Sequence, residues 1–248
     1  MSKDKKLTFL GHLAELRTRL IRTVIAVVIT TILSFVFARQ IFQVLTLPIE
    51  GTELIFIDMT EMLGIYMKVC LATGIALAMP YIVYQTVMFI APALTPKEMT
   101  YVYLVLPWIA FMFVGGMAFS YFVLLPPAVK FLVSFGSDIA TPQIRVGSYI
   151  SVVTRLIVAT GVIFELPVIS TFLARLGIIT SGWLASKRKL AIVLAFVLGA
   201  IITPTLDPIN QSLVAVPLIA LYEMSIWLAK LVQRKHHKEA MSIPTPAS

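Results

Sequence analysis

The sequence predicts an all-α polytopic membrane protein with six transmembrane helices, both termini inside, and fifth and sixth helices that are short. Three observations predict it. The chain of 248 residues is 59% hydrophobic and only 13% charged, whereas soluble domains run near half apolar and a quarter charged. Its apolar residues fall in six continuous runs, several near the ~20 residues that cross a ~30 Å hydrocarbon core. Its Lys and Arg gather at alternate ends of those runs, as the positive-inside rule demands.

The runs are residues 21–37, 66–90, 101–125, 149–174, 190–202 and 213–228. Pro80, Pro107, Pro167 and Pro217 fall inside four of them. Such prolines are tolerated in membrane helices where neighbours satisfy the freed carbonyls. A membrane barrel is excluded, because it shows alternating segments of ~10 residues rather than continuous apolar runs. At 1.5 Å per residue the fifth and sixth runs reach only ~20 and ~24 Å, so local thinning or snorkelling is expected around them. The link 203–208, TPTLDP, is a Pro-rich turn. With the N-terminus inside, all but five of the 20 Lys and Arg lie on the inner side. The exceptions, Arg39, Lys68, Lys130, Arg145 and Arg155, sit outside or near the outer end of a run. A five-span count would strand the basic tail outside. The outer connections, near 38–65 and 126–148, are long, and the inner ones, near 91–100 and 175–189, are compact. The reading is therefore one membrane domain over residues 1–232, then a tail over 233–248 that is first basic and then, in MSIPTPAS (241–248), disordered.

A net charge of +8 raises nucleic acid as a partner, but no basic domain interleaved with aromatics is present, so topology explains the charge. One cysteine, Cys70, excludes an intrachain disulfide and a Cys-based metal site. No cleavable signal peptide is read at the N-terminus. No G-x-x-x-x-G-K-[ST] is present, so no P-loop ATPase is expected. His12, His236 and His237 lie outside the apolar runs, which removes a Ser-His intramembrane protease. No aspartate falls inside a run, which removes an aspartyl dyad. Neither enzyme activity nor a cofactor is expected.

Four stretches remain as candidates. In GHLAELRTRLIR (11–22), Leu13, Leu16 and Leu20 form one helical stripe, while His12, Glu15 and Arg19 share another face. Glu15 and Arg19 stand in the favourable order for a helix ion pair. The stretch reads either as an interfacial helix with a self-paired face or as a docking surface. In FIAPALTPKEM (89–99), Glu98 is the only acid and lies at a helix start, where the dipole stabilises it. In GVIFELPVIS (161–170), Glu165 lies well inside the fourth run. A charged group there costs at least about 2.5–3.5 kcal/mol on insertion scales, which marks it as functional by default. Pro167 cannot donate to the carbonyl of Ile163, so a polar notch forms beside the carboxylate. Arg155 is ~15 Å away along the axis and off-face, a poor partner. In 203–223, Asp207 reads as a helix cap, Gln211 enters the membrane edge, and Glu223 pairs with Lys230 or the basic cluster 187–189.

HLAELRTRL (12–20) resembles the N-terminal signature of the TatC family, the multi-spanning receptor subunit of the twin-arginine protein translocase. The resemblance continues in order through Pro48, Lys68, PYIVYQTVMFIAPALTPKE (80–98), AFSYFVLLPPAVKF (118–131), FELPV (164–168) and AFVLGAIITPTLDPINQSLVAVPLIALYE (195–223). It implies that Glu15 and Glu98 recognise the twin-arginine motif of signal peptides at the cytoplasmic face. Two guanidiniums suit that role, since they bind carboxylates bidentately and stay charged. Leu16, Arg17, Phe89 and Pro48 match further functionally sensitive positions, and Lys68 and Asp207 are assigned to the loops and helix ends. Glu165 matches an intramembrane glutamate that faces a concave, lipid-exposed groove and meets the single membrane helix of a TatA- or TatB-type partner; Gln211 is assigned with it. The resemblance further implies a bacterial cytoplasmic membrane, self-association, and transport of folded proteins on the proton-motive force. A folded 100-residue domain has a radius of gyration of ~13 Å, more than six helices of ~10 Å diameter can enclose, so recruited subunits are required. The rival reading is a secondary transporter using Glu165 as a proton or ion site, although no internal repeat is visible.

Overall fold

The structure is a computed structural model. It describes residues 2–49, 53–90, 96–135, 143–203 and 207–241, with side chains at 2–10, 90, 96–104 and 234–241 excepted. The backbone is helical nearly throughout. Its helices are α1 (Ser2–Val36), α2 (Ala38–Thr46), α3 (Glu61–Ile90), α4 (Pro96–Phe119), α5 (Leu125–Ser134), α6 (Val146–Ile163), α7 (Leu166–Arg175), α8 (Ser181–Ser186), α9 (Arg188–Ile202) and α10 (Pro208–Met241). Among the described residues, five helical stretches are long and apolar enough to cross a membrane: Gly11–Val36, Glu61–Phe89, Val105–Ser134, Val146–Arg175 and Pro208–Gln233. The remaining apolar run forms α9, whose 15 residues reach ~22 Å and fall short of that length. The fifth apolar run is thus a short helix, as expected. The sixth run is short only as an apolar stretch, because it sits within the 34 residues of α10. Backbone hydrogen bonding does not stop where hydropathy falls. For the same reason α10 continues through the basic part of the tail to Met241, and residues 242–248, where disorder is expected, lie outside the described residues.

The helix ends follow from local chemistry. Asp207 caps α10 as expected: its Oδ1 accepts the Asn210 N–H at 2.8 Å and its Oδ2 accepts from the Asn210 amide at 3.0 Å. Pro208 then takes the first helical position, where a missing N–H costs nothing. Thr180 caps α8 by accepting from the Trp183 N–H at 3.1 Å. Gly177, at φ 72°, closes α7. The Ile178 N–H reaches the Leu173 carbonyl at 3.0 Å and the Gly177 N–H the Ala174 carbonyl at 3.2 Å, a Schellman motif.

Two interruptions depart from the apolar runs. Between α4 and α5 the backbone widens into a π-helical turn over Ser120–Leu124. Pro126 and Pro127 follow and leave the carbonyls of Phe122 and Val123 without their usual donors. The helix nevertheless continues to Ser134, so the second outer connection starts later than expected. The fourth run is also not one helix. It breaks at Phe164–Glu165, one turn before the missing N–H of Pro167. There the Glu165 N–H closes a tighter bond to the Val162 carbonyl at 3.1 Å.

The chain divides into two compact units, Met1–Ala110 with Gly136–Thr154, and Phe111–Phe135 with Arg155–Ser248. In the first, α1 lies along α3 at a glycine. The Thr30 hydroxyl donates to the Gly74 carbonyl at 2.7 Å. A Cβ on Gly74 would stand 2.7 Å from the Thr31 Cα. Close backbone approach at a small residue is how membrane helices gain packing energy. Gly74→Ala is therefore expected to push α1 off α3 and cost about 1–3 kcal/mol, the range for overpacking, read as a lower melting temperature in detergent. The outer ends of this unit are tied by a two-residue parallel ladder, Leu54–Ile55 (β1) with Ile144–Arg145 (β2). Arg145 donates to Glu61 at 3.2 Å, and the Tyr149 hydroxyl donates to the Leu45 carbonyl at 2.9 Å.

In the second unit α10 packs against α7, α8 and α9. Ala174, Leu184, Ile226 and Ala229 form a buried apolar cluster. Glu223 pairs with Arg188 through two bonds of 2.7 and 3.0 Å, within the basic cluster expected to hold it. The Tyr222 hydroxyl donates to the Leu184 carbonyl at 2.7 Å. Arg155 donates to the Ile201 carbonyl at 3.3 Å, near the C-terminus of α9, where a cation is favoured.

Candidate functional site

At the inner end of the first unit, polar and aromatic side chains from α1 and α3 converge. Glu15 and Arg19 are four apart on α1, and the ion pair expected from that spacing forms. Glu15 Oε1 accepts from Arg19 Nε at 3.0 Å and from Nη2 at 2.5 Å. Both bonds fall on one oxygen. Oε2 is left with His12 Nδ1 at 4.0 Å, beyond hydrogen-bond distance. The His12 ring in turn stacks on Phe89 from the last turn of α3, with centroids 4.2 Å apart and planes 20° off parallel.

Arg19 also reaches across to α3. Its Nη1 donates to Gln85 Oε1 at 3.3 Å, and Gln85 Nε2 donates to the Tyr81 hydroxyl at 2.6 Å. Gln85 is buried, and the Arg19 side chain is only 18% exposed. Tyr81 and Gln85 were not singled out from the sequence. A signal existed: a glutamine inside an apolar run, one helical turn after a tyrosine and one before Phe89.

The remaining residues assigned to signal recognition fall as follows. Leu16 and Arg17 are exposed on α1. Glu98 is on the first turn of α4, and its side chain lies outside the described residues. Pro48 is half-buried in a 3₁₀ turn, Leu47–Ile49, in the first outer connection. Lys68 stands ~30 Å from Phe89 along α3, donating from Nζ to the Ser151 hydroxyl at 2.9 Å. Pro48 and Lys68 therefore belong to the opposite end of the unit from the inner cluster.

The second candidate lies in the other unit. Glu165 occupies the break between α6 and α7. The resemblance implies a carboxylate facing lipid, and the structure corrects this: Glu165 is 0% exposed. Two glycines bring the helices close enough to cover it. A Cβ on Gly116 would stand 2.7 Å from Phe164 Cβ, and one on Gly161 would stand 2.9 Å from the Phe113 ring. Phe119 and Phe164 pack with ring centroids 5.4 Å apart. Among the described residues, neither oxygen of Glu165 is within hydrogen-bond geometry of a donor, although the Phe113 backbone acts on the carboxyl. Gln211, assigned with it, spends its amide N–H on the Phe196 carbonyl at 2.7 Å. This bond holds α9 beside α10 where Gly199 lets the Gln211 backbone approach, so the amide of Gln211 is engaged within the chain.

Among the described residues, no nucleophile stands beside a base in either cluster. The inner one offers an anionic oxygen beside a stacked aromatic pair; the buried one offers a carboxylate with unused hydrogen-bonding capacity.

Comparison with known proteins finds relatives along most of the chain. Residues 11–217 match the model of the family described as Sec-independent protein translocase protein (TatC). The chain is 38% identical over 235 residues to the Sec-independent protein translocase protein TatC of Carboxydothermus hydrogenoformans, covering 94% of this chain and 97% of that protein. It is 45% identical over 230 residues to the protein of that name from Aquifex aeolicus, covering 90% and 95%. Among solved structures, a crystal structure of a twin-arginine translocase receptor, TatC, superposes with a TM-score of 0.81 at 44% identity, covering 90% of this chain and 99% of that one.

Proposed function

The chain belongs to the TatC family, a non-enzymatic family of Sec-independent protein translocase subunits, and from that premise we propose that it binds twin-arginine signal peptides through Glu15 and Glu98. The observation that carries the proposal is the state of Glu15. One carboxylate oxygen is held by Arg19, and the other, beside the His12–Phe89 stack, accepts no hydrogen bond from the described residues. A guanidinium fits such a place in two ways. Its N–H groups bond the open oxygen, and its plane stacks on an aromatic face. An ammonium has the charge without the plane or the fork. Glu98, on the first turn of α4, supplies the second carboxylate for the second arginine.

Glu165 is the contact for a single-span partner subunit of TatA or TatB type. Its two buried oxygens without donors support this reading, because a polar group from another helix relieves a cost the chain alone does not relieve. The covering side chains must part to admit that helix. The setting is the bacterial cytoplasmic membrane, with the inner cluster facing the cytoplasm and folded precursors moved by the proton-motive force.

The test is co-purification of the detergent-solubilised chain with precursors carrying either RR or KK leaders. The RR leader is expected to be retained and the KK leader largely lost. Equal retention would overturn the assignment.

A further inference from the structure

Arg19 has no assigned part in signal recognition, yet it makes more polar contacts than any other residue of the inner cluster. Its three nitrogens are divided between two helices. Nε and Nη2 hold Glu15 Oε1 on α1, and Nη1 meets Gln85 Oε1 on α3. Gln85 is buried, and its amide group is fixed in turn by the Tyr81 hydroxyl. The result is a chain of four side chains, Tyr81–Gln85–Arg19–Glu15, running from the half of α3 nearer the inner face to the recognition carboxylate.

This chain has a consequence for the charge and geometry of the site. A lone glutamate on an exposed helix samples several rotamers and offers either oxygen to any cation. Here one oxygen is consumed and the carboxylate plane is set by a guanidinium that is itself anchored. Among the described residues nothing bonds Oε2, which faces His12 and Phe89 and is left for a ligand. A point charge is satisfied by an oxygen in any orientation, whereas a planar fork is not.

We propose that Arg19 is a positioning residue for twin-arginine recognition, held by Gln85 and Tyr81, and that this chain creates much of the preference for guanidinium over ammonium at Glu15. The proposal rests on the signal-peptide reading above. It differs from a competitor role, in which Arg19 would merely occupy Glu15 until displaced. An arginine anchored by Gln85 on a second helix does not leave readily, and its departure would strand a buried amide.

Arg19→Lys and Gln85→Leu test it, with binding of RR and KK leader peptides measured on the full-length chain in detergent. Lysine keeps the charge but cannot hold Glu15 and Gln85 in one plane. Leucine keeps the bulk of Gln85 and removes the acceptor. In each variant the RR-to-KK affinity ratio is expected to fall by about tenfold, the value of one oriented charge-assisted hydrogen bond. KK binding should change little. A fold defect would lower both affinities together and leave the ratio intact. An unchanged ratio in either variant that keeps the melting temperature of the unmodified chain overturns the proposal, as does tighter RR binding in Arg19→Lys, which would mark Arg19 as a competitor. The unmodified chain separates the two levels: if it does not discriminate RR from KK, the signal-peptide reading itself has failed.

Discussion

Replacing Glu15 and Glu98 together by glutamine is expected to abolish binding and export of twin-arginine precursors while leaving the folded chain in the membrane. Glutamine matches glutamate in shape, so the packing of His12 on Phe89 and of α1 on α3 has no steric reason to change. What is lost is charge. A hydrogen bond to a charged group contributes about 1.5–3 kcal/mol, so two carboxylates represent about 3–6 kcal/mol. At 1.4 kcal/mol per decade that is roughly a 10²–10⁴-fold loss of affinity. Each glutamine also brings an NH₂ that points a donor at a ligand made entirely of donors. The single Glu15→Gln change should have the larger share of effect on arginine preference, because it also loosens Arg19. Export of a reporter carrying an RR leader, together with peptide binding to the purified chain, reads the outcome. Retention of binding in the double variant would sink the assignment, and loss of the chain from the membrane would show that the carboxylates are structural.

How much of this was legible in the sequence depended on how far each interaction reaches along the chain. Contacts within one or two helical turns were readable. The Glu15–Arg19 pair follows from spacing alone, and so does the cap at Asp207. The pairing of Glu223 with the 187–189 cluster was legible because charge and depth left few alternatives. The apolar runs marked the five helical stretches long and apolar enough to cross a membrane, and the short α9 besides. Contacts that depend on the register of two helices were not readable. Nothing local places Gln85 against Arg19, 66 residues away. The burial of Glu165 likewise depends on Gly116 and Gly161 meeting Phe164 and Phe113 across a helix pair. Hydropathy was also silent on backbone hydrogen bonding. It therefore missed the break before Pro167, the π turn before Pro126, the β1–β2 ladder and the polar extension of α10.

The second large effect is expected at Glu165, where stability and function should move in opposite directions. Glu165→Met conserves volume, so the close approach of Phe164 to Gly116 and of Phe113 to Gly161 can persist. It removes two buried oxygens that no donor among the described residues meets with hydrogen-bond geometry. Burying a polar group without a hydrogen bond costs roughly 2–7 kcal/mol, and a domain of this size shifts about 2–4 °C per kcal/mol. The isolated variant should therefore melt at least about 4 °C higher in detergent. The same change removes a carboxyl group at that break able to receive a donor from a second helix, so crosslinking to a single-span partner should fall sharply while signal-peptide binding persists. Glu165→Gln, which keeps an acceptor, should fall between the two. A less stable methionine variant would mean that the carboxylate is satisfied by a group within the folded chain. A more stable variant that still crosslinks fully would remove Glu165 from partner docking. A stabilised, partner-blind chain is the outcome that fits an acid retained at an energetic disadvantage because another helix completes it.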